Sequence, residues 1–255
     1  MLLEKLLSAG LWALLVLATS CTVYAPMQPV MPLVSQRGQA EAGASIQLLG
    51  RVEATGSYSP VQHVVLTGGL TASPRLGDQR FLTTIQYEVG AGLYQRLGQH
   101  WLLSGLGGFG HAYCHRGYVD LGIFGPGVYS EYEARYAKYF GQVGFARIWR
   151  RNALSLNYRL TQVHFNYLVD AKYGPLPLAN MTRHELAFSW RLNLESAQRW
   201  QLVSTAGLSA ASTPRQDDSQ VPYTDHARYY HANRNLLPAF LASLGVVYRP
   251  GLLAH

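Results

Sequence analysis

From Arg183 to Glu195 the sequence sorts its side chains by parity. One set is His184, Leu186, Phe188, Trp190, Leu192 and Leu194, and the other is Arg183, Glu185, Ala187, Ser189, Arg191, Asn193 and Glu195. Successive side chains on an extended strand point to opposite faces, so this segment presents an apolar band on one face and charged or small groups on the other. A helix would scatter both sets around its circumference. The apolar band is long enough to cross a bilayer, which takes ~9–11 tilted strand residues.

The same period recurs along the chain. Leu154, Leu156, Tyr158 and Leu160 oppose Ser155, Asn157, Arg159 and Thr161, and Ile85, Tyr87, Val89, Ala91 and Leu93 oppose Thr84, Gln86, Glu88, Gly90 and Gly92. Towards the C-terminus Phe240, Leu244, Val246 and Tyr248 share a parity with apolar neighbours on both sides. About ten strands are expected, at 39–48, 51–59, 62–72, 81–96, 100–115, 129–149, 153–168, 181–195, 199–211 and 237–249. Several exceed the ~5–6 residues usual in soluble sheets. Short turns at 97–99, 150–152 and 196–198 alternate with long connections at 116–128, 169–180 and 212–236. Short turns on one side and long loops on the other are a habit of outer-membrane barrels. The expected fold is therefore all-β, an up-and-down antiparallel transmembrane β-barrel of about ten strands.

Composition agrees. Only 14% of residues are charged while 48% are hydrophobic and 12% aromatic, against ~25% charged in an average soluble protein. Mean hydropathy stays at −0.01, as it must when apolar residues alternate with polar ones. Disordered chains are poorer in aromatics, and two Cys cannot staple a disulfide scaffold. In a membrane barrel the polar parity turns inward. Glu88, Glu133, Arg135, Arg159, Arg183, Glu185 and Arg191 are thus expected to pair in the lumen and close it, while Leu154, Leu156, Tyr158, Leu160, Leu186, Phe188, Trp190 and Leu192 face lipid. A soluble barrel binding an apolar ligand would show the same pattern with the two faces exchanged. Long strands and Trp101, Trp149, Trp190 and Trp200, three of them bordering turns, favour the membrane version.

The N-terminus reads as an address. Lys5, the apolar run Leu6–Ala18 and then Thr19, Ser20 and Cys21 have the layout of a signal peptide over 1–20. Ala18-Thr19-Ser20-Cys21 resembles a bacterial lipobox, in which the Cys is acylated. Residues 21–38, with Pro26, Pro29 and Pro32, read as an extended tether, followed by a barrel over 39–249 and a tail at 250–255. An even strand count puts both barrel termini on the periplasmic side. The expected location is the outer membrane of a Gram-negative bacterium, lipid-anchored on that side.

The lipobox Cys, the Pro/Tyr tether, Gln39-Ala40-Glu41-Ala42-Gly43-Ala44-Ser45, and Ala54-Thr55-Gly56-Ser57-Tyr58-Ser59-Pro60 before an apolar strand resemble the uncharacterised outer-membrane β-barrel-like lipoproteins of Bacteroidota. The resemblance is one of pattern over most of the chain. It implies a location and a fold, and brings no active-site residues.

Little in the sequence points to catalysis. His111 and His115 share a strand face from which Cys114 points away, so no metal site is assigned, and no cofactor is called for. No Ser-containing motif accompanies His63, His164 or His184, so no catalytic residue is assigned and the chain is read as not an enzyme. The net charge of +7 is dispersed over the chain, which speaks against nucleic acid. Outer-membrane lipids are the expected partners. A ligand or protein partner is expected, if anywhere, on the loops at 116–128, 169–180 and 212–236, where Tyr118, Phe124, Tyr173, Tyr223, Tyr229 and Tyr230 stand. A structural or interaction role for these loops competes with a small-solute channel through the lumen.

Overall fold

The structure, a computed structural model, describes residues 22–29, 31–47, 50–73, 82–120, 128–195, 199–219 and 222–250. The expected signal peptide, Cys21, Phe124, the expected turn at 196–198 and the tail beyond 250 lie outside the described residues.

Ten strands close into an antiparallel barrel in which each is paired with its neighbours in sequence. They are β1 (Ala40–Gln47), β2 (Val52–Tyr58), β3 (Val64–Ala72), β4 (Leu82–Leu97), β5 (Trp101–Asp120), β6 (Val128–Ile148), β7 (Asn152–Asp170), β9 (Asn180–Asn193), β10 (Trp200–Ala211) and β11 (Ala239–Tyr248). The two-residue β8 (Gly174–Pro175) folds back on the end of β7. The seam closes where β1 meets β11, with Ala42 opposite Tyr248. Helix α1 (His226–Arg234) lies in the β10–β11 connection. Tight turns such as Gly98–His100 gather at one end, where Gly98 takes φ +67°, a region open to glycine at no steric cost. The longer connections gather at the other, here called the loop end. Strands β5 and β6 run further than the sequence pattern indicates, to Asp120 and from Val128, so the expected loop at 116–128 shrinks to 121–127.

The wall is inverted relative to a soluble barrel over its turn-side half. On β7, Ser155, Asn157, Arg159 and Thr161 are buried in the bore while Leu156, Tyr158 and Leu160 are exposed outside, with Leu154 half-buried on the same outer face. On β9, Arg183, Glu185, Ala187, Ser189 and Arg191 turn inward, and Leu186, Phe188 and Trp190 turn outward, with Leu192 half-buried beside them.

Towards the loop end the sign reverses. Inward positions become apolar: Tyr132, Ala134 and Tyr136 on β6, Val163, Phe165 and Leu168 on β7, Met181 on β9. Outward ones become polar: Glu131, Glu133 and Arg135 on β6, Gln162, His164 and Asn166 on β7, Asn180 and Thr182 on β9. Register places these in one belt, since Ala137 faces His164 and His164 faces Asn180. This corrects the expectation for Glu133 and Arg135. They stand on the outer face rather than in the lumen, and the guanidinium of Arg135 lies 5.5 Å over the Tyr113 ring. Both residues stand beyond the point at which the outer face turns from apolar to polar, and there parity carries the opposite meaning.

The segment read as a tether is a second correction. Thr22–Ala25, Met27 and Met31–Val34 are buried, and their partners sit on strands all round the wall. The segment therefore lies inside the bore. Arg116 near the end of β5 donates to the Thr22 carbonyl at 2.7 Å, and the Thr22 hydroxyl donates to the Asn235 carbonyl at 2.8 Å. Thr22 is thus at the loop end. At the other end, Gly38 with φ +78° turns the chain back into β1. Ala40 and Tyr248 stand at this same turn end of the wall. Prolines at 26, 29 and 32 explain why the segment stays out of the sheet: each lacks an N–H for a ladder, and their spacing suits a three-residue turn of polyproline helix.

If the reversal marks the edge of an apolar surrounding, Phe188→Arg destabilises the barrel in lipid vesicles by about 2–4 kcal/mol, whereas Gln162→Arg, on the same outer face beyond the edge, changes it by less than about 1 kcal/mol. Urea titration followed by tryptophan fluorescence measures both.

Candidate functional site: a filled bore

The lumen charges form two groups. In the middle, Glu88 on β4 stands between Lys138 on β6 at 2.5 Å and Arg159 on β7 at 2.9 Å. Arg159 also donates to Gln142 at 3.0 and 2.8 Å and lies 4.4 Å over the Phe140 ring. Lys138 donates to Gln86 at 3.1 Å. Nearer the turn end, Glu41 on β1 accepts from Arg191 on β9 at 3.2 Å and from Arg249 at 2.7 Å. All of these groups but the half-buried Arg249 are almost wholly buried, and a buried charge without a partner is costly. Each carboxylate holds two cations, which ties β4 to β6 and β7 across the bore through Glu88, and β1 to β9 through Glu41.

Arg183 and Glu185 join the wall to the central segment. Arg183 donates to the Ser209 side chain at 2.8 Å, to the Ser209 carbonyl at 2.9 Å and to the Leu237 carbonyl at 3.0 Å. Its guanidinium also lies 4.9 Å over the Tyr24 ring. The Tyr24 hydroxyl donates to Glu185 at 2.7 Å. Of the residues expected to form the polar network, the structure places Glu88, Arg159, Arg183, Glu185 and Arg191 in the bore and leaves Glu133 and Arg135 outside it.

Sequence reasoning missed several others: Glu41, Arg51, Glu53, Gln86, Gln28 and Lys138. Parity offered a signal for Glu41 and Glu53, because Gly43, Ser45, Thr55 and Ser57 continue the same small or polar faces. The central segment offered another. Thr22–Gln36 contains no charged residue at all, which is unusual for an exposed tether.

The wall is shaped to that segment. A Cβ on Gly69 of β3 would come within 2.9 Å of Met27 Cε, and one on Gly144 of β6 would overlap Met31 Sδ, Asn157 and Ser104. The Ser104 hydroxyl lies 3.1 Å from Met31 Sδ. Gln28 reaches Thr205 at 2.5 Å, Ser243 at 2.9 Å and Ser45 at 3.3 Å, and so touches three strands. Next to Met27 and Gln28 a void of about 20 Å³ remains, room for about one water. The turn-end half of the segment packs in an apolar cluster of Met31, Leu33 and Val34 with Val65, Tyr94, Leu102 and Ala146.

The loop end is roofed. Ala232 and Leu236 from the α1 connection join Val23, Tyr24, Tyr132 and Tyr136 in one apolar cluster. Nδ1 of His231 in α1 lies 2.5 Å from the Tyr132 hydroxyl and 3.5 Å from Asp170, and the Tyr173 ring is centred 4.8 Å away. Outside, Tyr223 and Tyr230 are exposed. The Ser219 N–H donates to Asp217 at 2.9 Å and holds that carboxyl below its ordinary range.

The outer face carries aromatic belts. At the turn end Trp101 stacks on Phe145 with ring centres 4.6 Å apart, Trp200 meets Tyr248 at 4.8 Å, and Arg147 lies over Trp101 and Trp149. Where the sign reverses, a groove of about 600 Å³ is lined by Tyr87, His111, Tyr113, Arg135 and Tyr167, and the Tyr158 hydroxyl lies 2.6 Å from His184. Cys114 is buried on the bore side while His111 and His115 face outward, so the wall keeps Cys114 apart from the two His. Among the described residues no group of three or more His, Cys, Asp or Glu is placed to hold a metal ion.

No protein-family model matches the chain. No curated protein matches it either. Among solved structures, Acinetobacter baumannii CarO2 is similar at 10% identity over 84% of this chain and all of that one, with a TM-score of 0.31. The CymD monoaromatic hydrocarbon channel is similar at 8% over 85% and 72%, with a TM-score of 0.34. Acinetobacter baumannii CarO is similar at 11% over 83% and 97%, with a TM-score of 0.28. At such scores the likeness carries no conclusion about activity.

If Gly144 exists to seat Met31, Gly144→Leu costs about 1–3 kcal/mol, the usual penalty of overpacking, and Met31→Ala in the same chain restores a good part of it. Denaturant midpoints of the two single variants and the double variant, completed as a cycle, measure the coupling.

Proposed function

We propose that the chain is an outer-membrane β-barrel protein with a closed lumen. Its role is structural or one of interaction, carried by the surface at the loop end. The observation that carries this reading is the inverted wall. Leu156, Leu160, Leu186 and Phe188 stand exposed outside while Arg159, Arg183, Glu185 and Arg191 are buried inside. In water such an outer band would cost about 25 cal/mol per Å² of apolar area; in a bilayer it is the matching surface. The aromatic rows at both edges of the band support the same placement. Its lipid-facing members on this reading are Leu154, Leu156, Tyr158, Leu160, Leu186, Phe188, Trp190 and Leu192. Acylation at Cys21 belongs to this reading and rests on the Ala18–Cys21 motif. Recognition falls to the roofed end, where Tyr223 and Tyr230 project from the α1 connection over a rigid wall. The reading makes the protein a scaffold rather than an enzyme.

A gated channel is the second reading, favoured by one observation. The segment in the bore is held by non-covalent bonds, and behind it the wall carries the Glu88, Lys138 and Arg159 charges that a polar solute would meet. Conductance separates the two. The intact protein in a planar bilayer is expected to show no steady steps, because the residual void beside Met27 is about 20 Å³. Deleting 22–34 while keeping β1 intact is expected to open measurable steps. Steady steps from the intact chain, with its bore segment in place, would turn the conclusion to the channel.

A further inference from the structure

The bore recognises a peptide backbone. Eight side-chain bonds reach main-chain groups of the central segment. Arg116 donates to the Thr22 carbonyl at 2.7 Å, and the Val23 N–H donates to Asn235 at 2.9 Å. The Ala25 N–H meets the Tyr136 hydroxyl at 3.4 Å, and Gln86 donates to the Ala25 carbonyl at 3.0 Å. Arg51 donates to the Pro26 carbonyl at 3.0 Å, and the Gln28 N–H donates to Glu53 at 3.2 Å. Arg191 donates to the Met31 carbonyl at 2.6 Å, and the Leu33 N–H donates to Glu41 at 3.3 Å. The donors and acceptors come from β1, β2, β4, β5, β6 and β9, from Arg51 beside β2 and from Asn235 after α1. They follow one another down the axis in the order of the segment's own residues.

A peptide buried outside any sheet must have its N–H and C=O groups satisfied one by one. Three prolines remove three of the N–H groups that would need it. Eight of the remaining groups are met by side chains of the wall and of the α1 connection, with Gly69 and Gly144 leaving room for Met27 and Met31. Both ends are fixed. Thr22 is tied to Asn235 and Arg116 at the loop end. At the turn end the Ser35 and Gln36 N–H groups donate to Gln39 at 2.6 and 3.1 Å, and the Gly38 N–H donates to the Ser59 carbonyl at 2.8 Å. Thirteen extended residues span ~40 Å, more than the ~30 Å hydrocarbon core of a bilayer.

We propose that the bore is a polypeptide-threading site whose occupant is the chain's own N-terminal segment, so that Thr22 stands at the loop face, across the membrane from Ala40. The threading rests on the geometry alone; its placement across a membrane rests on the function proposed above. An acyl group on Cys21 would then meet the leaflet at the loop face. The barrel thus acts as a conduit that carries a segment of chain through itself and displays its beginning.

The test uses the full-length chain in cells, with one epitope placed between Cys21 and Thr22, a second beside Tyr223 and a third in the turn at Gly98–His100, each in a separate variant. Antibody binding is scored on intact and on permeabilised cells, and heat-modifiable gel mobility independently reports whether a membrane barrel has formed. The N-terminal epitope is expected to follow the Tyr223 epitope in both conditions and to differ from the Gly98 epitope. If it follows the Gly98 epitope instead, the threading is overturned, while a heat-modifiable band would still leave the membrane barrel standing. A chain without an insertion before Thr22 guards against disturbance of the plug. A protease site placed at the exposed Arg37 is cut in the folded protein, and the piece ending there is followed by mass. Retention of that piece with the unboiled barrel and release on boiling support threading, and release without boiling overturns it.

Discussion

A closed ring of ten strands has a bore that must be filled, and the filling governs nearly everything else in this molecule. Side chains from the wall reach inward but leave an axial space, and charges such as Glu88, Arg159 and Arg183 cannot be left there without partners. The central segment occupies that space without bringing charges of its own. Each wall cation is then free to pair with a wall acid or with a backbone carbonyl. Glu88 holds Lys138 and Arg159, Glu41 holds Arg191 and Arg249, and Arg183 spans Ser209, Leu237 and the Tyr24 ring. Replacing one member of such a group strands the others, so the bore is best regarded as a single polar unit rather than as separate pairs.

The reversal of polarity along β6, β7 and β9 follows from what lies on each side of the wall. On the turn side the wall carries an apolar outer face and a polar bore, as lipid outside would require on the proposed function. On the loop side it separates water from the apolar cluster under α1. A single strand such as β7 therefore obeys two opposite rules, changing near Thr161–Val163. The long strands β5, β6 and β7, at 20, 21 and 19 residues, exceed the ~9–11 needed to span a bilayer. The surplus forms the wall of the roofed end.

Much of this was legible in the sequence, and the failures share a cause. The parity of β9 and the middle of β7 identified both faces, because each residue type there had one environment to satisfy. Glu133 and Arg135 were misplaced because parity was given a fixed meaning along the whole strand. Residues 22–34 were misread because prolines without periodicity ordinarily signal a linker. Their freedom from charge and their Tyr24, Met27, Met31 and Leu33 were the marks of a buried segment, yet nothing in a sequence says which cavity such a segment enters. Helix α1 escaped notice because its residues, His226–Arg234, are polar and aromatic with only His231 and Ala232 buried.

The course of the central segment also constrains how the molecule can be built. Thr22 is locked beneath Asn235, at the far end of the longest connection, and the wall closes where the first strand meets the last. With the ring closed at β1–β11 and the α1 connection above it, the described residues from Thr22 to Val34 are enclosed by the wall. Such an enclosure suits assembly of the strands around a segment already lying along the axis, closed by the β1–β11 seam and the α1 roof. These contacts join residues more than two hundred positions apart, such as Thr22 with Asn235 and Ala42 with Tyr248. Such distant pairings make for slow folding, and the N-terminal residues act as the core on which the ring is wound.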